Sequence, residues 1–169
     1  MTVFRRNSRA RCASATVLGA LCAIAIPASA ASAASTLHLF AKTTDSTFTD
    51  PSGHPILTHV PPPAAGSVLT NTGVEYLGTF KHHARAPSAS TNIICFVTKA
   101  PNAMCYAQVA IGGSMLLANR FIANLANPNP FASIPINAGT NKLAGARGRI
   151  RTTPVGSGNS INLTITYTT

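Results

Sequence analysis

The sequence predicts an all-β protein of about eight short antiparallel strands, folded either as a sandwich or as a barrel. Clusters of Gly, Pro and Asn recur at close intervals, and the runs between them alternate apolar with polar residues. The clearest alternation is in residues 160–167 (SINLTITY), where one face is apolar and the other is Asn or Thr. Beyond residue 33, no run shows an extended apolar stripe at helical spacing.

The strands and turns can be placed in order along the chain. Residues 36–42 alternate apolar and polar side chains, as a first strand does, and residues 50–53 (DPSG) have the composition of a tight turn. Three consecutive prolines exclude a central strand and predict a polyproline II segment within residues 57–66. Residues 114–121 fit a strand or a helical turn. Further strand-like runs are residues 68–69, 74–83, 92–98, 103–111 and 160–167. Further turns and loops are residues 112–113, 124–131 and 156–159.

The first 33 residues have the three parts of a secretory signal peptide. Residues 5–11 are rich in arginine, residues 12–26 are apolar but too short to span a membrane, and small residues follow. The pattern is compatible with an A-x-A-like cleavage site after Ala30 or after Ala33. We therefore expect a secreted, extracellular protein with no stable membrane insertion, the alternative being a retained N-terminal anchor.

The rest of the chain is long enough for one domain with its own core. Apolar residues make up 46% of the sequence and charged residues 9%, which is not a disordered composition even with 12 Gly and 12 Pro. We divide the chain into the signal peptide (1–33), a first strand with a Pro-rich connecting segment (34–66), and the remainder of a single β domain (67–169).

Basic residues outnumber acidic residues, but few of them are clustered. The formal net charge is +10, and beyond residue 11 nine basic and three acidic residues leave a net charge of +6. Arg147, Arg149 and Arg151 alternate along one strand-like run, which is typical of a solvated strand face. Since no RNA- or DNA-binding motif accompanies them, we expect no specific nucleic-acid partner, although attraction to an anionic surface stays open.

Two cysteines, Cys95 and Cys105, lie beyond the signal peptide. If residues 92–98 and 103–111 form a hairpin joined by residues 99–101, the two cysteines lie opposite each other and within reach of a disulfide. An oxidising compartment favours such a pair. The alternatives are a metal site or a catalytic thiol, but the histidines lack ligand spacing, and we expect no metal.

The segment at residues 134–152 (IPINAGTNKLAGARGRIRT) carries a resemblance to a known family. Its pattern predicts two strands joined by a turn at residues 137–141, and Gly145 and Gly148 indicate a bulge or sharp bend. Residues 144–148 (AGARG) resemble the GGTGxYxxARG segment of the barrel superfamily that includes plant allene oxide cyclases, dirigent proteins and secreted bacterial relatives. Residues 36–41, 73–78 and 112–114 and the cysteine pair are similar, in order, to other motifs of this family.

The resemblance implies a fold and an assembly. The implied fold is an eight-stranded antiparallel β-barrel with Greek-key or meander connections, and this favours the barrel over the sandwich. It also implies a homo-oligomer, expected as a trimer. Ser67 departs from the family, because it stands where an acidic residue is common. Of the pocket residues credited to dirigent proteins, only Arg147 has a counterpart here.

The candidate ligand-binding side chains are Glu75, Tyr76, Tyr106 and Arg147. In an apolar lumen Glu75 would have a raised pKa and could act as a general acid or base. Its parity is opposite to that of Tyr76 and Phe80, however, which favours a Glu75 side chain that faces water. The tyrosines could hydrogen-bond a ligand or serve as core aromatics. Arg147 could bind a carboxylate if it points inward, or share the solvated face of the arginine ladder.

Two functional hypotheses follow from these patterns. The first is a secreted barrel that binds a small hydrophobic or phenolic ligand in its lumen and steers its cyclisation or coupling. Any catalysis would then be cyclase/isomerase-like or dirigent-like and act through shape and proximity. The second is a non-catalytic extracellular structural or interaction barrel with a filled lumen and a basic outer face. Motifs of hydrolases, metalloenzymes and nucleotide-binding proteins are missing from the sequence, and we expect no cofactor.

Overall fold

The computed structural model describes residues 33–56, 63–156 and 159–169. The predicted signal peptide, except for its last residue, lies outside the described residues. Residues 57–62 of the predicted polyproline segment and two residues of the predicted turn at 156–159 also lie outside them. No helix within the described ranges is long and apolar enough to cross a membrane.

Ten β-strands and one short 3-10 helix make up the regular structure of the described residues. The strands are β1 (Ser35–Thr49), β2 (Val68–Thr79), β3 (His82–His83), β4 (Ala89–Lys99), β5 (Asn102–Ile111), β6 (Ser114–Asn124), β7 (Ser133–Ile136), β8 (Ala138–Gly139), β9 (Arg147–Pro154) and β10 (Ser160–Thr168). The 3-10 helix is Asn141–Leu143. β2 runs unbroken through Gly73, where the sequence indicated two separate runs.

Neighbouring strands pair antiparallel around a barrel. The hydrogen-bonded order is β7-β9-β10-β1-β2-β4-β5-β6-β8, and β3 adds a short hairpin to β2. The last strand of the chain pairs with the first, and each main strand pairs with the next one along the chain. The connections are therefore those of a meander. The antiparallel barrel that the family resemblance implied is confirmed, and the sandwich is excluded.

The barrel closes through the short segment that contains β7 and β8. β7 pairs with β9, whereas β8 pairs with β6 on the opposite side. Between them, the Asn137 backbone N–H donates to the Leu117 carbonyl at 3.0 Å. The Asn137 side chain also accepts from and donates to the Asn119 backbone, at 2.9 and 2.7 Å. β7 and β8 are thus two parts of one interrupted strand. When they are counted as one, the nine strands on the path make up the eight-stranded barrel that the resemblance implies.

The core fills part of the barrel interior and comes from alternate strand residues. Leu163 and Ile165 of β10 are buried on one face, as the alternation predicted, and Leu39 of β1 packs in the same cluster. Cys95 and Cys105 lie directly opposite each other in the β4–β5 pair, are fully buried, and form a disulfide. The hairpin register inferred from the sequence at these two positions is therefore confirmed.

The segment at residues 134–152 differs from its prediction in its middle. The second strand begins at Arg147, because a 3-10 helix occupies residues 141–143. Gly145 makes the bend with a left-handed φ of 81°, but Gly148 lies in an unbroken register with Tyr167 and makes no bulge. A Cβ at Gly148 would collide with the Thr166 carbonyl oxygen, so glycine is needed there for close approach of two backbones.

Removal of the disulfide is expected to lower the free energy of unfolding by about 2–3 kcal/mol, because the bond restricts the unfolded chain. The variant Cys95→Ala/Cys105→Ala and the reduced native protein should both shift to lower urea midpoints than the oxidised protein. Reduction leaves the two side chains in place, so it separates the loss of the cross-link from the loss of packing. Equal midpoints for the oxidised and reduced proteins would contradict this assignment of stability.

Candidate functional site

A cavity of about 340 Å³ occupies the barrel interior. Most of its wall is apolar and comes from inward-facing residues such as Ala41, Ile93, Val109, Ile150 and Leu163. We call this space the lumen cavity. Its volume lies in the range of pockets that bind small molecules. The side chains of the described residues therefore do not fill the lumen, in contrast to the expectation of the second hypothesis.

The carboxyl group of Glu75 lies within this apolar wall. Glu75 is on β2, is only 1% exposed, and lines the lumen cavity. Two residues earlier, Gly73 contributes no side chain, and a Cβ there would be 3.6 Å from Glu75 Oε1. Gly73 thus leaves space beside the carboxyl group. The sequence-based preference for a Glu75 side chain that faces water is wrong, and the inward orientation is the one observed.

The Glu75 carboxyl group is buried without a partner. Neither Oε1 nor Oε2 accepts or donates a hydrogen bond within the described residues, and the buried Thr91 hydroxyl on β4 is also unpaired there. Burial raises the pKa of Glu75 to about 7, and the nearby Thr91 hydroxyl opposes this shift in part, although its geometry is not that of a hydrogen bond. Near neutral pH the carboxyl group is therefore divided between its protonated and ionised forms.

No basic side chain of the described residues neutralises Glu75. Lys42 lies at the rim of the cavity, but its Nζ is 5.6 Å from the ring centroid of Phe40 and 5.5 Å from that of Tyr76. These two rings belong to the outer face of the sheet, so the ammonium group points away from the lumen. The other Lys and Arg residues of the described part are exposed. The lumen cavity is thus electrostatically acidic whenever Glu75 is ionised.

Tyr76 does not line the lumen cavity. It lies opposite Phe40 in the β1–β2 pair, and the Phe40 ring also contacts Phe80 and His83 from the β2–β3 hairpin. The hairpin covers Phe40 so completely that it is 1% exposed although it is on the outer face. Tyr76 therefore lacks the lumen position that its candidate role in ligand binding would require, since its neighbours form an aromatic cluster outside the barrel.

Tyr106 and Arg147 are also outside the lumen. Tyr106 follows the buried Cys105 on β5, packs edge-to-face against Phe96, and borders a separate cavity of about 150 Å³. Arg147 is exposed at the start of β9 and donates to the carbonyl of Ala146 at 2.9 Å. The structure therefore does not bring the four candidate residues together, and only Glu75 reaches the lumen cavity.

Two further features lie near the lumen without adding an ionisable group. Ser67 is fully buried, and its hydroxyl has no hydrogen-bond partner in the described ranges. A second cavity of about 510 Å³ lies between Phe48, Leu69 and the loop at residues 125–130. Among the described residues, its walls are mainly apolar and contain no acid or base. The chemistry of the barrel interior is thus concentrated at Glu75.

Several solved structures share this barrel. Pyocyanin demethylase aligns over 79% of this chain and 100% of its own length, with a TM-score of 0.57 and 16% sequence identity. Two pterocarpan synthase dirigent proteins align over 80% of this chain and 95% and 88% of their own lengths, with TM-scores of 0.52 and 0.53 and 12% and 14% identity. The chain has a dirigent-like barrel fold. No family model and no curated protein sequence matches it.

The lumen of this dirigent-like barrel offers a ligand an apolar wall, one buried acid and one nearby hydroxyl group. The apolar wall can hold a ligand by burial of its surface, and Glu75 can donate a hydrogen bond when protonated or accept one when ionised. Thr91 adds a hydroxyl beside it that the sequence reasoning did not single out. Thr91 lies two residues before the buried Ile93 on β4 and therefore shares its strand face, and this spacing is the signal that could have identified it.

Proposed function

We propose that this protein is a secreted barrel that binds one small, mainly apolar ligand in the lumen cavity and holds the polar group of that ligand against Glu75. The observation that carries the proposal is an enclosed carboxyl group with two unpaired oxygens in a cavity of about 340 Å³. An unpaired buried carboxyl group lowers stability, so its retention is understandable if a ligand supplies the missing partner. The buried disulfide supports an oxidising compartment.

A reaction on such a ligand would be cyclase-like or isomerase-like. A carboxyl group with a pKa of about 7 can protonate one atom of the ligand and accept a proton from another, without any co-reactant. The barrel wall would hold the ligand in the geometry that leads to one product. Radical coupling would need an external oxidant, so the single acid in the lumen favours proton transfer over coupling. The names of the similar structures, a synthase and a demethylase, are compatible with an enzymatic role.

The proposal is tested by isothermal titration of the mature protein with 2-naphthol, an apolar phenolic probe of suitable size. We expect saturable binding of one molecule per barrel, and a matching adduct in native mass spectrometry. Tyr76→Phe and Arg147→Ala are control variants, because both side chains lie outside the lumen, and each should change the dissociation constant by less than about twofold. The absence of both saturable heat and an adduct would overturn the proposal.

The second hypothesis, a basic interaction face, has one supporting observation. Arg147, Arg149 and Arg151 are exposed on the outer face of β9, and none of them forms an ion pair within the described residues. Arg149 instead donates to the Ser133 hydroxyl at 2.6 Å. Such a face can attract an anionic surface without affecting the lumen, so this role would be additional to ligand binding.

A further inference from the structure

The ionisable groups in and around the lumen cavity limit the charge of its ligand. Glu75 is inside, and the nearest base at the rim, Lys42, is turned towards the outer aromatic cluster. The remaining walls supply apolar side chains and a few neutral polar groups, among them Thr91 and Asn71. A negatively charged ligand would therefore meet no cation and one acid. A positively charged ligand would meet the only group in this part of the chain that can neutralise it there.

We propose that the lumen cavity selects small apolar molecules that carry a basic nitrogen, and that it discriminates against carboxylates of the same size. This inference rests on the proposed function, since it assigns the chemical class of the ligand in the same cavity. An ammonium group has several N–H donors and can satisfy both unpaired oxygens of Glu75. A remaining donor can reach a hydroxyl such as that of Thr91.

The electrostatic reason is the low polarity of the site. Opposite charges attract more strongly in a desolvated interior than in water, and charge-assisted hydrogen bonds are stronger than neutral ones. A buried ion pair can still be weak if its members lose more hydration than they regain. Here Glu75 is already desolvated in the free protein, so the amine alone has to lose its water. A carboxylate ligand would lose its water and also repel ionised Glu75.

The inference has a characteristic pH dependence. An amine binds to ionised Glu75, and an uncharged alcohol also binds to the protonated form. With a pKa of about 7, the ionised fraction rises about tenfold between pH 6 and pH 8.5, and amine affinity should rise by about the same factor. The residues paired with Glu75 on the neighbouring strands, Ala41 of β1 and Ala89 of β4, and the nearby Thr91 do not titrate.

The test uses three probes that share one apolar body: 2-naphthylmethylamine, 2-naphthylmethanol and 2-naphthoate. Isothermal titration at pH 6 and pH 8.5 should show an amine dissociation constant about tenfold lower at the higher pH. At pH 8.5, where Glu75 is ionised, the carboxylate should bind at least about tenfold more weakly than the alcohol. In Glu75→Gln the amine should lose its pH dependence and bind no more tightly than the alcohol.

The outcomes separate the two proposals. If none of the three probes binds at either pH, ligand binding in the lumen fails altogether. If the alcohol binds but the carboxylate binds as well as the amine at pH 8.5, ligand binding stands and the charge selection is wrong. The comparison of the two pH values in the native protein needs no variant, so it remains decisive if Glu75→Gln does not fold.

Discussion

Glu75→Gln is expected to make the protein more stable than the native form above pH 7. The native pKa of Glu75 is raised from 4.5 to about 7, so the folded protein binds a proton more tightly than the unfolded chain. The stability that this group contributes is fully present below about pH 4.5 and is lost as the pH rises through about 7. A glutamine cannot ionise, so the variant does not undergo this loss.

The difference should reach about 3 kcal/mol at pH 8.5, because one pKa unit corresponds to about 1.4 kcal/mol. Urea unfolding of both proteins at pH 4.5, 6, 7 and 8.5 measures it. At pH 4.5 the two free energies of unfolding should agree within about 1 kcal/mol, since both side chains are then neutral. The other titrating groups are the same in both proteins and cancel in the difference. If the free energies of unfolding of the two proteins differ by the same amount at all four pH values, Glu75 is not desolvated in the folded protein.

Ala107→Phe is expected to prevent ligand binding while the barrel remains folded. Ala107 is buried on β5 and lines the lumen cavity, so a phenyl ring at this position enters the space that a ligand would occupy. The dissociation constant for 2-naphthol should rise by about a hundredfold or more, which corresponds to about 3 kcal/mol. Because the ring enters an existing cavity, the cost to stability should be at most about 1–3 kcal/mol.

Ala110→Phe is the matched control on the same strand. Ala110 has the opposite parity to the buried Val109 and therefore faces outward. This variant should bind 2-naphthol within about twofold of the native affinity. Retained far-UV circular dichroism and a cooperative urea transition would show that both variants are folded. Native affinity in Ala107→Phe would mean that the ligand binds elsewhere.

Most of the barrel was predictable because strand alternation and turn chemistry are local signals. Residues 160–167 alternate so regularly that the buried face of β10 could be identified in advance. The turn at residues 50–53 is made as expected, with the Asp50 side chain accepting from the Ser52 and His54 backbone N–H groups. The opposed cysteines fixed the β4–β5 register at one point. The closure by Asn137 depends on contacts that are distant in sequence and left no local pattern.

The orientation of Glu75 could not be predicted, because the apolar residues of β2 misled the assignment of its faces. Tyr76 and Phe80 indicated that their parity faced the core, which would have left Glu75 in water. The structure places these rings against Phe40 on the outer face, where the β2–β3 hairpin covers them. A small hydrophobic cluster outside the barrel thus resembles, in sequence, an inward strand face. Only the fold distinguishes the two.

The central claim is that Glu75 is a buried, ligand-contacting acid, and one carboxyl resonance tests it directly. Glu75 is the single glutamate of the chain, so protein labelled with [δ-13C]glutamate gives one carboxyl signal in an NMR pH titration. We predict a midpoint at about pH 7 in the free protein and a displaced signal when 2-naphthylmethylamine is added. A midpoint near 4.5 and a signal unchanged by the amine, the alcohol or 2-naphthol would contradict the account.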